Sequence, residues 1–168
     1  GATWRNGLPA DAREEAQTVM QPENPSVWGP YAVIETCRSV FPRETIAPSD
    51  TGAHRILLSQ VWQCYEPHGL LQSTGLATMG YGLPSAIGAK LVHRDRPVVC
   101  FTGDAGLEMV LGELATLRSL GLPLTIVCFT DNSLALIELK QRRMRLKNLG
   151  VDFPGTNFVE VAHAYGGN

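Results

Sequence analysis

The 168-residue sequence lacks any strong excess of charge. Its 14 lysines and arginines stand against 16 aspartates and glutamates, a formal net charge of -2. Without a basic field there is no electrostatic footprint for a phosphate backbone, so no nucleic-acid partner is expected. No run approaches the ~18 apolar residues of a membrane span, and the first residues carry no apolar signal segment, so no membrane partner is expected and the cytoplasm is the expected location. The four cysteines, Cys37, Cys64, Cys100 and Cys128, form no C-x-x-C pair, which argues against a zinc site and a disulfide framework. Cys100 and Cys128 lie inside apolar runs and read as buried thiols in a reducing compartment. Internal repeats and low-complexity segments are also missing.

What is present is enough for one core: 44% of the residues are hydrophobic and 18% charged, and the length suits a single domain. Residues 1–26 are polar, with Pro9, Pro22, Pro25 and the charged stretch Asp11 to Glu15. They read as a linker or interdomain arm carrying one short exposed helix, because they offer few apolar side chains to bury. Residues 27–168 alternate helix and strand patterns. Tyr31 to Cys37 reads as a helix, Glu44 to Asp50 as a short strand running into a polar loop, Ala53 to Trp62 as a second helix, and Gly82 to Leu91 as a helix rich in small residues.

Pro97 to Thr102 and Leu124 to Thr130 are short, continuous apolar runs without period-two alternation, as strands buried on both faces of a parallel sheet require. Between them, Leu107, Val110, Leu111, Leu114, Leu117 and Leu120 fall at helical spacing, closed by Gly121. Strand, helix and strand of these lengths form a βαβ unit. The expected fold is α/β: an open, mostly parallel sheet with helices on both faces.

The first strand ends in Gly103-Asp104-Ala105-Gly106 and the second in Asp131-Asn132-Ser133, each ahead of a helix. Ligands of open parallel sheets collect at the carboxyl ends of strands. Two carboxylates there can converge on one cation, and magnesium takes one or two carboxylates together with phosphate oxygens. The free N–H groups at the start of the intervening helix favour an anion in the same place. The pattern predicts a magnesium-bridged diphosphate. Taken singly, Asp104 reads equally well as a helix N-cap, and Asp131-Asn132-Ser133 as an Asx-capped turn; the specificity lies in the joint pattern.

The span from Gly103-Asp104-Ala105 to Thr130-Asp131-Asn132-Ser133 resembles the signature of thiamine-diphosphate enzymes. Upstream, Gly75 to Ala89 resembles the segment that cradles the cofactor's pyrimidine and thiazolium in the acetolactate synthase type. The resemblance covers roughly Trp28 to Tyr165. It implies a diphosphate-binding domain, cut short at its C-terminal end, with thiamine diphosphate and Mg2+ as cofactors. Asp104 and Asp131 become magnesium ligands, with a main-chain carbonyl near Ser133 as a third. Gly103, Ala105, Gly106 and His54 fall at the diphosphate. Ala77, Thr78 and Met79 fall at the pyrimidine side, Met79 as the apolar wedge beneath the cofactor and Ala77 through its carbonyl. Read without the family, Met79 is a core methionine and His54 a turn histidine.

Many relatives carry Asn-Asn where this chain has Thr130-Asp131, which exchanges an amide ligand for a carboxylate. Glu113 supports the loop or is merely solvated, and His68, His93 and His163 show no recognisable spacing. The activating glutamate is expected on a separate pyrimidine-binding domain, so this chain contains no catalytic residue of its own. The implied partners are that domain, in the same or another chain, a second and further copies in a homodimer or homotetramer, and a 2-oxo acid that undergoes decarboxylation or carboligation. FAD is compatible with such a family, but no feature of this segment supports it. Two other readings stand beside this one: a flavodoxin-like or receiver-type magnesium module built on Asp50 and Asp104, and a non-catalytic remnant that binds the cofactor without turnover.

Overall fold

The computed structural model describes residues 8–22, 24 and 28–168. Residues 1–7, 23 and 25–26 of the expected arm, Pro25 among them, lie outside the described residues. The elements run α1 (Leu8–Met20), α2 (Pro30–Val40), β1 (Ala47–Ser49), α3 (Ala53–Val61), β2 (Leu70–Gln72), α4 (Gly82–Val92), β3 (Val99–Gly103), α5 (Asp104–Met109), α6 (Glu113–Ser119), β4 (Thr125–Phe129), α7 (Ala135–Arg143) and α8 (Phe158–Ala164). The charged stretch of the arm lies in α1, a full helix that runs alongside α3.

The sheet is parallel throughout, in the order β2-β1-β3-β4. The two apolar runs pair in one register from Val99 with Thr125 to Gly103 with Phe129, as the βαβ pattern predicts. Because successive strand residues point to opposite faces, β3 feeds two cores. Val98 and Cys100 pack with Leu83, Ala86, Ile87, Leu107 and Leu114 from α4, α5 and α6. Val99 and Phe101 pack with Ile34, Leu58, Val61 and Trp62 on the α2 and α3 side. Helices therefore cover both faces. Cys100 is fully buried; Cys128 is only half-buried, because β4 has no neighbour on its outer side among the described residues.

The expected single helix from Leu107 to Leu120 is two. Helix α5 begins at Asp104 itself and ends at Met109; after Val110 (φ -127°, ψ 24°) and the α6 N-cap Gly112, the chain restarts as α6. Val110 and Leu111 still pack against the α4-side core through this turn, so the helical spacing of apolar residues survives the break. Strand β2 and helix α8 carry too few residues to announce themselves by periodicity.

Candidate functional site

The order β2-β1-β3-β4 reverses direction between β1 and β3, and it is at such a switch point that parallel sheets bind ligands. The carboxyl ends of β1 and β3 open there into a cavity of about 370 Å³. It is lined by Thr51 to His54, by Ala77 and Met79, by Gly103 to Gly106, by Phe129, Asp131 and Ser133, and by the start of α7 as far as Lys140. Nine of the ten residues expected at the site line this one cavity: His54, Ala77, Met79, Gly103, Asp104, Ala105, Gly106, Asp131 and Ser133. Thr78 is the exception. It is exposed, and its hydroxyl donates to the Met79 carbonyl at 3.2 Å. Glu113, His68, His93 and His163 stand elsewhere.

Asp104 is 4% exposed. Its Oδ1 accepts from the Ala105 N–H at 2.8 Å, and its Oδ2 accepts from the N–H groups of Asp131 at 3.0 Å and Asn132 at 2.8 Å. The first carboxylate thus holds the loop that carries the second. Asp131 folds over its own turn, accepting the Ser133 N–H at 3.1 Å, and Asn132 adopts the left-handed conformation (φ 58°). The loop is braced from behind by the return of the chain: Leu134 N–H donates to Val151 O at 2.8 Å, and Phe153 N–H to Asn132 O at 3.2 Å. A Cβ on Gly155 would stand 2.6 Å from Asn132 Oδ1, so a glycine there is what lets the two segments meet. Nothing in the local sequence signals this brace.

His54 is 8% exposed and stacks on Phe129 with ring centroids 5.5 Å apart. Its imidazole folds back over the preceding turn, where a Cβ on Gly52 would lie 2.6 Å from the ring. Burial lowers its pKa from the ordinary 6.5, against the opposing pull of Asp50, Asp131 and Asp104. Above about pH 6.5 the ring is neutral in the folded and unfolded chains alike. As the pH falls below that value, the unfolded chain takes up a proton that the folded chain resists, so this stability is lost on acidification. The thermal midpoint should therefore fall more between pH 7.5 and 5.5 in the native sequence than in His54→Gln. Parallel falls in the two proteins would rule the effect out.

Three buried polar atoms without a hydrogen-bond partner, Thr51 Oγ1, His54 Nε2 and Ser133 Oγ, belong to residues that line the cavity. Buried polar groups are rarely left unsatisfied, so these three residues hold unspent hydrogen-bonding capacity beside the cavity. The charges bear on what can enter. Asp104 and Asp131 line the cavity while, among the described residues, Lys140 is the only lysine or arginine on its wall, so a cation between an anion and the carboxylates would favour the anion's entry. Among the described residues no group of three or more histidines, cysteines or acids could hold a metal. Two carboxylates plus main-chain and ligand oxygens are, however, a donor set that suits magnesium.

A three-layer parallel α/β domain with a cavity at its switch point belongs to the doubly wound, ligand-binding class. Comparison with known proteins narrows the class: the family described as thiamine pyrophosphate enzyme, C-terminal TPP binding domain, matches residues 50–168. The large subunit of acetolactate synthase isozyme 1 of Escherichia coli (strain K12) is 33% identical over 138 residues, covering 81% of this chain and 25% of the relative. The probable acetolactate synthase large subunit of Methanococcus aeolicus is 35% identical over 126 residues, 74% of this chain and 21% of its own length. That of Lactococcus lactis subsp. lactis (strain IL1403) is 30% identical over 156 residues, 92% of this chain and 27% of its own length. The chain belongs to the thiamine-pyrophosphate enzyme family, through its C-terminal TPP-binding domain, and spans about a quarter of the length of these relatives. Membership sets aside the receiver-type reading, although the strand order alone would have allowed it.

Proposed function

We propose that residues 27–168 bind thiamine diphosphate through Mg2+ and form the diphosphate half of the active site of a cytoplasmic, acetolactate-synthase-like enzyme acting on 2-oxo acids, with residues 1–26 as the arm that leads into it. Asp104, Asp131 and the main-chain carbonyl of Ser133 hold the metal. Gly103, Ala105, Gly106 and His54 face the diphosphate, where His54 Nε2 gains the partner it lacks. Ala77 and Met79 form the wall on the pyrimidine side, with Thr78 serving only to shape the backbone between them. The bound cofactor supplies the carbanion chemistry by which a 2-oxo acid is decarboxylated and joined to a second carbonyl compound; this chain supplies anchoring and orientation.

The observation that carries the reading is the placement of Asp104 and Asp131 on one cavity at the β1–β3 switch point. A pyrimidine-binding domain, with the activating glutamate, comes from elsewhere in the same chain or from another subunit of a homodimer or homotetramer, and FAD is not required by any residue of this segment.

Calorimetric titration with thiamine diphosphate tests the proposal. Binding should need magnesium, should be weak for this chain alone because only one wall of the site is present, and should strengthen when a pyrimidine-binding domain is supplied. Turnover of 2-oxo acids should be little or none without that domain. Tight binding followed by no turnover even with the domain present would mark a non-catalytic cofactor-binding protein instead. Binding that ignores magnesium would refute the anchor.

A further inference from the structure

One buried carboxylate beneath the cavity takes no part in the proposed metal site. Asp50, at the end of β1, is 0% exposed. Its Oδ1 accepts from the Thr51 N–H at 2.6 Å. Its Oδ2 accepts from the N–H groups of Gly80 at 3.1 Å and Gly82 at 3.3 Å, while the Thr102 hydroxyl, 3.4 Å away, shares its single proton between this oxygen and the nearer Gly103 carbonyl at 3.0 Å. Neither ion pair among the described residues involves it; N–H and O–H donors alone satisfy its charge.

The surrounding backbone is shaped to admit it. A Cβ on Gly106 would stand 2.8 Å from Asp50 Oδ2, and one on Gly82 would stand 3.0 Å from the Asp50 Cβ. The glycine of Gly103-Asp104-Ala105-Gly106 that reads as making room for a diphosphate therefore also makes room for Asp50. Three separate stretches of chain, the end of β1, the turn into α4 and the β3–α5 junction, meet at this one side chain.

The stretch that Asp50 grips is the one that needs holding. Ala77 sits in the left-handed region at φ 50°, a conformation that a residue with a Cβ keeps only when its surroundings impose it. Besides the Asp50 contacts with Gly80 and Gly82, the turn from residue 75 to 80 is tied by a long hydrogen bond from the Thr78 N–H to the Ser73 hydroxyl, 3.4 Å. Ala77 and Met79 line the same cavity as Asp104 and Asp131.

We propose that Asp50 is a positioning residue. By holding Gly80 and Gly82 it fixes Ala77 and Met79 as a wall, so that the site selects the organic part of its ligand and not the diphosphate alone. The inference rests on the thiamine-diphosphate reading for the identity of that ligand, but the grip on the turn stands apart from it. Asparagine cannot substitute, because its single oxygen can serve Thr51 or the Gly80–Gly82 pair but not both, and its NH2 would then face N–H donors.

The test compares Asp50→Asn with the native chain, each with a pyrimidine-binding domain supplied, using two probes, magnesium with inorganic diphosphate and magnesium with thiamine diphosphate, at pH 8. Ile34→Val, a core change on the α2 side, controls for lost stability. In Asp50→Asn the preference for thiamine diphosphate over diphosphate should fall about tenfold or more, the scale of a hydrogen bond to a charged group, while diphosphate affinity changes much less. Thr102→Val, which removes one donor without altering shape, should lower the preference about threefold and serves as the test should Asp50→Asn fail to fold. The control should leave the preference intact. Equal loss of both probes, or an unchanged preference, would overturn the proposal. Amide NMR decides it independently: the Gly80 and Gly82 N–H resonances and the Met79 methyl should shift in Asp50→Asn. If the native chain binds neither probe, the cofactor reading fails, and unmoved Gly80, Gly82 and Met79 signals would then refute the positioning role as well.

Discussion

Replacing Asp104 by Ala should remove magnesium-dependent binding of thiamine diphosphate, with an affinity loss on the order of 100-fold or more, since changes even to residues that only support metal ligands cost up to about that much. Two losses add together. In the proposed site the bridging cation would lose one of its two carboxylates, and the diphosphate would face Asp131 with less charge neutralisation. The Ala105 N–H also loses its acceptor Oδ1, and the Asp131 and Asn132 N–H groups lose the Oδ2 they share, so the loop bearing Asp131 and Ser133 is no longer tied to the end of β3. Asp104→Asn separates these contributions in part: its amide oxygen can still accept from Asp131 and Asn132 while the charge is gone, although its NH2 then faces the Ala105 N–H. It should keep more of the fold and nearly as little of the cofactor binding as Asp104→Ala. Calorimetric titration at fixed magnesium, with circular dichroism to establish that the chain is folded, measures both variants; cofactor binding untouched in Asp104→Ala would place the chemistry elsewhere.

The largest effect on stability is expected from Phe101→Ala. Phe101 is fully buried in the middle of β3, meets Trp62 edge-on with centroids 5.4 Å apart, and lies parallel to Phe129 at 6.5 Å. Removing a buried phenylalanine costs about 3–5 kcal/mol through lost transfer energy and the cavity left behind. A domain of this size has only about 5–15 kcal/mol in total, so the thermal midpoint should fall by on the order of 10 °C. The damage should reach the site, because Phe129 supports the His54 ring, and a tilted Phe129 leaves that ring unsupported over Gly52. Phe101→Leu keeps most of the volume and should recover more than half of the loss. A differential scan in which Phe101→Ala melts within a degree or two of the native chain would show that the two aromatic contacts contribute little.

How much of this was readable beforehand follows from the range of each interaction. The runs from Pro97 to Thr102 and from Leu124 to Thr130 announced parallel, doubly buried strands because a strand covered on both faces needs apolar residues at every position, and β3 and β4 pair accordingly. Asp104 and Asp131 were legible as a pair because both end a strand, and parallel strands put their carboxyl ends on one edge. The family resemblance through Gly75 to Ala89 supplied Ala77 and Met79, which periodicity would have left as ordinary core or loop. The length of the α5–α6 segment misled: apolar spacing reports which face is buried, and a turn through Val110 to Gly112 preserves that face while ending the helix.

Composition and pattern alone therefore determined the α/β class, the parallel strands and the strand-end carboxylates, since each of these depends on neighbours in sequence. Only the tertiary structure showed what surrounds Asp50, Gly106, Gly155 and His54. In the sequence Asp50 is a strand-end acid that, with Asp104, suited the receiver-type alternative; its hydrogen-bond partners lie 30, 32 and 52 residues away, at Gly80, Gly82 and Thr102. Gly106 and Gly155 matter for what they leave empty, which no spacing reveals. Burial of the His54 ring, and with it the direction of its pKa, exists only once α3 and β4 have closed on it, because desolvation belongs to the packed chain and not to the residue.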